Sequence, residues 1–288
     1  MSAAKWLGDV SGISKAVIGS TIVAFSTSAP ELFVSLLATL RGYSDMGMAN
    51  IVGSNAVNIG IGLAAIAIIG SGKVGDPLSL MRGVVLVVST VMLFAFAFFG
   101  TISWVHGIFF AILMMLYIYY NIKHCKEEKA PRLKTNAKQT TKNVLLFIVG
   151  LAGVLFGAHL IVQNASFLAA SWGMSEALVG LTIVAVGTSL PEISTSIASI
   201  IKKERGLAIG NIIGSCIFNI AAILAIVTFS AGNIEVSQSM SRIDIPVLLA
   251  LTLLAIIPTA ITKRVHKWQG VALAVVYMGF LVFTIVSN

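Results

Sequence analysis

Charge is what this 288-residue chain has least of: only 10% of its residues are Asp, Glu, Lys or Arg, against about a quarter in soluble domains. With 57% hydrophobic residues and a mean hydropathy of +0.97, that scarcity excludes an ordinary soluble fold. Cysteine is scarcer still. Cys125 lies beside a basic stretch and Cys216 inside an apolar run, giving neither a disulfide framework nor a metal-finger spacing, so redox chemistry is not indicated. No removable signal peptide is visible, because the first apolar run continues well past signal length. The formal charge of +8 does not point to nucleic acid, since the basic residues cluster between apolar segments and read as a bilayer topology signal.

What the chain has in abundance is apolar runs of the roughly 20 residues needed to cross a hydrocarbon core. Nine are expected, over 13–40, 46–70, 79–99, 101–121, 142–163, 174–201, 207–230, 242–260 and 267–286. The reading is an all-α polytopic membrane protein. Its one long polar connection, residues 123–142, is too hydrophilic for the bilayer and rich in Lys and Arg, which makes it a cytoplasmic basic loop. Fixing that loop inside and alternating outward places 17 Lys and Arg residues inside and only Arg41 and Arg242 outside. The chain thus divides into a first half, 1–122, the loop, 123–142, and a second half, 143–288.

The two halves repeat. A shift of 161 residues lays GSTIVAFSTSAPELFVS (19–35) on GLTIVAVGTSLPEISTS (180–196), and the same shift lays NIVGSNAVNI (50–59) on NIIGSCIFNI (211–220). Corresponding spans are five apart, so the copies must cross the membrane in opposite directions. Such inverted-topology repeats characterise secondary transporters, whose substrate sites lie near the midplane where interrupted helices meet.

Glu31 and Glu192 sit deep in apolar segments, where an ionisable group costs at least a few kcal/mol and marks an ion pathway. Neither motif offers a Lys or Arg at matching depth, which leaves a bound cation or a proton as compensation. Two carboxylates about 4 Å apart repel by roughly 4 kcal/mol at an effective dielectric of 20, and a divalent ion reverses that sign. Pro30 and Pro191 cannot donate to the carbonyls of Ser26 and Gly187, while Thr27, Ser28, Thr188 and Ser189 add hydroxyls. On the following span Ser54 and Asn58 share a helical face, as do Ser215 and Asn219. This oxygen-only inventory suits a hard cation such as calcium over zinc or copper.

Simpler readings compete at some positions. Ser28 and Glu31, like Ser189 and Glu192, fit a capping box, although capping alone does not account for a symmetric intramembrane pair. Gly53, Gly210 and Gly214 read as helix-packing positions. His159, Glu176 and Asp244, near span ends, read as interfacial, and Trp6, Trp104, Trp172 and Trp268 as interface anchors.

At these motifs the chain resembles the cation/calcium exchanger superfamily, sodium/calcium antiporters of prokaryotic type. Its two repeats carry a G-T-S-x-P-E core and a G-N-x-x-G-S stretch. GTSLPE at 187–192 and GNIIGS at 210–215 match fully, whereas STSAPE at 26–31 and ANIVGS at 49–54 carry Ser26 and Ala49 in place of glycine. The resemblance covers nearly the whole chain. It implies a ten-helix fold exchanging calcium for sodium by alternating access, with Glu31 and Glu192 as calcium ligands supported by Thr27 and Thr188. Ala24, Ser28, Ser54, Ala185, Ser189 and Ser215 correspond to sodium ligands, with Asn58 and Asn219 completing the middle of the site. There are two departures. Some relatives have an acidic residue where Asn219 stands, which puts stoichiometry in question. Residues 1–12 are also too short for the family's first helix, so the first transmembrane helix is expected to be missing.

The alternative transport reading is a calcium/proton or other cation/proton antiporter, in which one glutamate protonates. A channel also uses oxygen-lined sites, but the inverted repeat favours a carrier. An intramembrane protease needs a water-activating acidic dyad, which Glu after Pro in inverted halves fits poorly, so the chain is read as no enzyme. The expected partners are inorganic cations and the lipid bilayer, without nucleic acid, an obligate protein partner or a cofactor. The expected location is a prokaryotic inner (plasma) membrane.

Overall fold

The computed structural model describes residues 24–73, 78–124, 137–203 and 205–287. The motif-bearing segments are short of charge, and their polar residues, Glu31, Ser35, Thr188, Glu192 and Ser196 among them, are buried. Helix α1 (Ala24–Thr27) and helix α2 (Ala29–Leu40) form one interrupted rod, broken at Ser28. The break falls where Pro30 enters the first turn of α2, a position at which its missing N–H costs nothing. Gly42, at φ 90°, then turns the chain into α3 (Ser44–Ile69).

The outer helices follow: α4 (Leu78–Ala97), α5 (Trp104–His124) and α6 (Ala137–Trp172). The second half continues with α7 (Glu176–Ile201), α8 (Arg205–Ala231), α9 (Met240–Thr262) and α10 (Lys267–Ser287). Shifted by 161, residues 44–69 fall within α8, and 78–97 and 104–124 fall on α9 and α10 to within a residue or two.

Central and peripheral helices differ in burial as that register requires. The apolar windows of α3 and α8 are 83% and 89% buried, whereas those of α4, α5, α9 and α10 are between 28% and 39% buried. On α5 the inward face is Phe110, Met114, Tyr117 and Asn121, at helical spacing, while Phe109, Ile112, Met115 and Leu116 are exposed. On α10, Leu273, Tyr277, Phe280 and Thr284 face in and Val275, Met278, Val282 and Val286 face out. Outer faces this apolar are stable only against lipid. Among the described residues seven helices, α3, α4, α5, α7, α8, α9 and α10, are long and apolar enough to cross a membrane, and the chain is an integral membrane protein.

Of the two remaining expected spans, 13–40 lies partly outside the described residues. The other, 142–163, falls within α6, which at 36 residues is about 54 Å long. The ends of the polar stretch 123–142 belong to α5 and α6, and 125–136, with Cys125, lie outside the described residues. α6 packs its Val162, Ala165 and Ala169 on Val34 and Ala38 of α2.

Two short antiparallel pairs join the halves. β1 (Gly72–Lys73) pairs with β4 (Arg264–Val265), and β2 (Thr101–Ile102) with β3 (Ile234–Glu235). Each pair takes one strand from each half. The β1–β4 end gathers Lys73, Lys202, Lys203, Arg205, Lys263, Arg264 and Lys267, whereas Asp45, Glu176 and Glu235 lie at the other. Arg82 is a correction: counted from sequence among the flanking charges, it is 1% exposed, and its Nε donates to Asn121 Oδ1 at 3.1 Å. Asp244, expected at the interface, is likewise buried.

Close approach of the central helices depends on small residues. A Cβ on Gly53 would stand 2.7 Å from Ala185 Cβ and 2.9 Å from the Leu181 backbone, and one on Gly180 would stand 2.7 Å from Ala49 Cβ. Ala49 is therefore tolerated at a position where the resembled pattern has glycine, because its neighbour across the contact is Gly180.

Candidate cation-binding site

Every residue expected at the site is buried and lies on α1, α2, α3, α7 or α8, or, for Ser28, at the break between α1 and α2. Ala24, Thr27, Ser28, Glu31, Ser54, Asn58, Ala185, Thr188, Ser189, Glu192, Ser215 and Asn219 are each no more than 2% exposed. The local backbone explains part of this convergence. α3 widens into a π turn over Asn58–Leu63 and α8 over Phe218–Ile223, a distortion frequent at functional sites, and Asn58 and Asn219 stand in these turns. A further π turn, Gly180–Val184, precedes Ala185 in α7. There the two copies differ, since Pro191 lies inside a continuous helical segment, Ala185–Ile201, whereas the first copy is broken at Ser28.

The hydrogen bonds cross between the halves. Ser28 Oγ donates to Glu192 Oε1 at 3.1 Å, and Ser189 Oγ donates to Glu31 Oε1 at 3.3 Å. Ser54 Oγ lies 3.2 Å from Thr188 Oγ1, and Ser215 Oγ lies 3.5 Å from Thr27 Oγ1. Each contact has its mate 161 residues away, and reciprocity of this kind (i on j, j on i) is the mark of two-fold symmetry. The capping reading fails on this geometry: Ser28 makes no side-chain cap bond to its own helix, and both serines serve the opposite glutamate. Thr27 and Thr188 also turn their hydroxyls to the carbonyls of Ala24 and Ala185, at 3.2 and 3.3 Å.

A second tier, which the sequence reading had not assigned, fixes the helices that carry the glutamates. Asn50 Nδ2 donates to Ser35 Oγ at 2.9 Å and to the Glu31 carbonyl at 3.3 Å. Asn211 Nδ2 donates to Ser196 Oγ at 3.0 Å and to the Glu192 carbonyl at 3.4 Å. All four residues stand at matched places in the duplicated segments, and that coincidence was the available signal.

Electrostatically the site is one-sided. The Glu31 carboxylate faces Ser189, Thr188 and Glu192, and that of Glu192 faces Ser28, Thr27 and Ser215. Oε2 of each glutamate and both amide atoms of Asn58 and Asn219 are buried with no protein partner among the described residues. Buried carboxylates are costly without an opposite charge, and carboxylate and amide oxygens are the kind of donor that a hard cation takes.

Paired carboxylates between the two halves of a helical membrane protein mark an ion pathway within the membrane. The chain belongs to the family described as sodium/calcium exchanger protein, which matches residues 1–123 and 142–286, and cation exchange is the activity of that class. It is 27% identical to the sodium/calcium exchanger MaX1 of Methanosarcina acetivorans, over 94% of this chain and 89% of that protein. It is 33% identical to the inner membrane protein YrbG of Escherichia coli, over 75% and 69%. Among solved structures, the sodium-calcium exchanger NCX_Mj with sodium and strontium superposes at a TM-score of 0.73. The identity is 29%, covering 96% of this chain and 89% of that one.

Proposed function

We propose that the chain is a secondary antiporter that exchanges calcium for sodium across a prokaryotic inner (plasma) membrane by alternating access. The observation that carries this reading is the crossed pair of hydrogen bonds, Ser28 to Glu192 and Ser189 to Glu31. They support a single buried site shared by carboxylates from the two halves. Calcium takes Glu31 and Glu192 with support from Thr27 and Thr188. Sodium takes subsites built from Ala24, Ser28, Ser54, Asn58, Ala185, Ser189, Ser215 and Asn219. The two ions compete, and bundle movement exposes the site alternately to each face only when it is neutralised.

On this reading the chain crosses the bilayer nine times, its two halves are inverted, and the loop over 123–142 is cytoplasmic. α3 and α8 are five spans apart, which gives them opposite directions, and the gathering of Lys and Arg at the β1–β4 end supports that end as the cytoplasmic one.

The test is uptake of radiolabelled calcium by proteoliposomes holding the purified chain, under an outward sodium or an outward proton gradient. Uptake with sodium alone is expected. Uptake with protons alone replaces sodium as the counter-ion, and no uptake under either overturns the calcium assignment.

A further inference from the structure

The two ends of the molecule are alike in backbone and unlike in charge. At the β2–β3 end the chain makes a left-handed turn on glycine twice, at Gly42 after α2 and at Gly100 before β2, with φ 90° and 78°. The matching places at the β1–β4 end are Lys203 after α7 and Lys263 before β4, and these hold φ 64° and 53°. Glycine enters that region freely, whereas a residue with a side chain is strained there. The strand pairs differ in the same sense. In β2–β3, Thr101 stands opposite Glu235 and Ile102 opposite Ile234, while the equivalent register in β1–β4 sets Lys73 opposite Arg264 and Gly72 opposite Val265. Opposed residues have Cβ atoms about 5 Å apart, and like charges so placed repel. Arg205 adds a third cation, because its guanidinium lies where a Cβ on Gly72 would stand, on the face away from Lys73. Even with Asp76 and Glu204 counted from the sequence, the seven basic residues of this end leave five positive charges.

Neither a helix dipole nor a topology signal accounts for this placement. α2 ends with the same dipole as α7, yet the chain turns there on glycine. A topology signal sets how many cations lie at one end, not that two of them face each other across a strand pair or stand on left-handed backbone. An anion between them accounts for both, and phosphate oxygens accept from Lys and Arg together.

We propose that the β1–β4 end is a phosphate-binding site, in which one phosphate group bridges Lys73 and Arg264 within the field of Lys203, Arg205 and Lys263. β1 belongs to the first half and β4 to the second, so the bound group ties the halves and stabilises the fold. β1 connects α3 to α4 and β4 connects α9 to α10, all of them long enough to cross a membrane. That puts the site at the level of lipid headgroups, and the phosphate is that of an anionic phospholipid. Only the choice of the cytoplasmic leaflet rests on the orientation given under the proposed function.

The probes are phosphatidylglycerol and inorganic phosphate. Thermal unfolding of the purified chain in neutral detergent is followed as phosphatidylglycerol replaces phosphatidylcholine, and separately as phosphate replaces chloride at constant ionic strength. Phosphatidylglycerol is expected to stabilise the parent saturably, and inorganic phosphate much less. Lys73→Gln and Arg264→Gln are each expected to raise the half-maximal phosphatidylglycerol about fivefold, the contribution of one basic residue at an anionic surface, and the double variant about 25-fold. Lys123→Gln removes a cation at the end of α5, above the Tyr119 ring, and is expected to change the response less than about twofold. Lys263→Gly separates binding from folding. In phosphatidylcholine it is expected to unfold at the parent's temperature or above, its left-handed turn relieved, while needing more phosphatidylglycerol.

A parent chain that neither probe stabilises overturns the proposal, as does a double variant that keeps the parent's response. So does a loss in Lys123→Gln equal to that in Lys73→Gln, which general surface charge would give. Equal stabilisation by inorganic phosphate, lost in the double variant, keeps the site and makes its ligand a soluble phosphate. None of these outcomes depends on calcium or sodium transport.

Discussion

Replacing Glu192 by Gln separates ion binding from folding. The carboxamide keeps the size of the side chain and an oxygen for the Ser28 hydroxyl, now 3.1 Å from Oε1, so the crossed contact survives. What disappears is one negative charge in a fully buried site. With ionised carboxylates about 4 Å apart and an effective dielectric near 20, their repulsion is about 4 kcal/mol, and the attraction of either for a calcium ion at the same separation is about 8 kcal/mol. Desolvation offsets most of that attraction. If a third survives, the loss is close to 100-fold in calcium affinity.

The signs therefore oppose each other. Without ions, Glu192→Gln is expected to unfold at the same temperature as the parent or higher, because repulsion is relieved. Calcium-induced stabilisation in detergent is expected to need about 100-fold more calcium, and sodium-driven calcium uptake to vanish. Near-normal exchange in both Glu192→Gln and Glu31→Gln refutes the assignment. So does a variant that is destabilised without ions yet responds normally to calcium.

Three further outcomes follow from the packing and the second tier. Gly180→Val places its Cβ 2.7 Å from Ala49 Cβ and 2.9 Å from the Met46 carbonyl; backbone cannot yield there, and a loss of about 1–3 kcal/mol is expected in urea or thermal unfolding. Ser35→Ala and Ser196→Ala remove symmetric acceptors of Asn50 and Asn211, so each is expected to cost about 1 kcal/mol, and unequal losses beyond the precision of the unfolding curves would show that the two clamps differ. Gln269→Leu is expected to lower the unfolding temperature by the equivalent of about 1–3 kcal/mol. Pro258 cannot supply an N–H to the Leu254 carbonyl, and the Gln269 amide stands in, reaching the carbonyls of Leu254 and Ala255 at 3.4 and 3.3 Å; an unchanged unfolding temperature would dismiss the staple.

Several helices were legible because the bilayer sets their length. The expected runs 207–230 and 267–286 became Arg205–Ala231 and Lys267–Ser287, since an apolar run has to end where the hydrocarbon ends. The site was legible for a different reason: duplication picked Glu31 and Glu192 out of the chain as a matched pair. Other features depend on tertiary contacts that no local pattern carries. Ser28 and Glu31 spell a capping box, yet the serine bonds to a glutamate 164 positions away. Arg82 lies near a helix end and reads as a flanking charge, while packing of α4 on α5 buries it beside Asn121. The π turns at Asn58 and Asn219 have no periodic signature, because one extra residue in a turn leaves an all-round apolar segment all-round apolar.

The crossed arrangement makes the site a property of the two halves together. Had each serine capped its own helix, either glutamate would keep its hydroxyl donor wherever the halves moved. Instead Glu31 depends on Ser189 and Glu192 on Ser28, while Asn50 and Asn211 bind each glutamate's helix to the next helix of its own half. Each half is internally tied, and each carboxylate takes a serine donor from across the contact. A relative displacement of about 1 Å would stretch both crossed bonds past hydrogen-bonding range and take one hydroxyl donor from each carboxylate. Such a displacement is costly when the site is charged and becomes cheaper when a cation neutralises it. Under the proposed exchange, that difference couples occupancy to movement, and it requires no residue outside the two repeats.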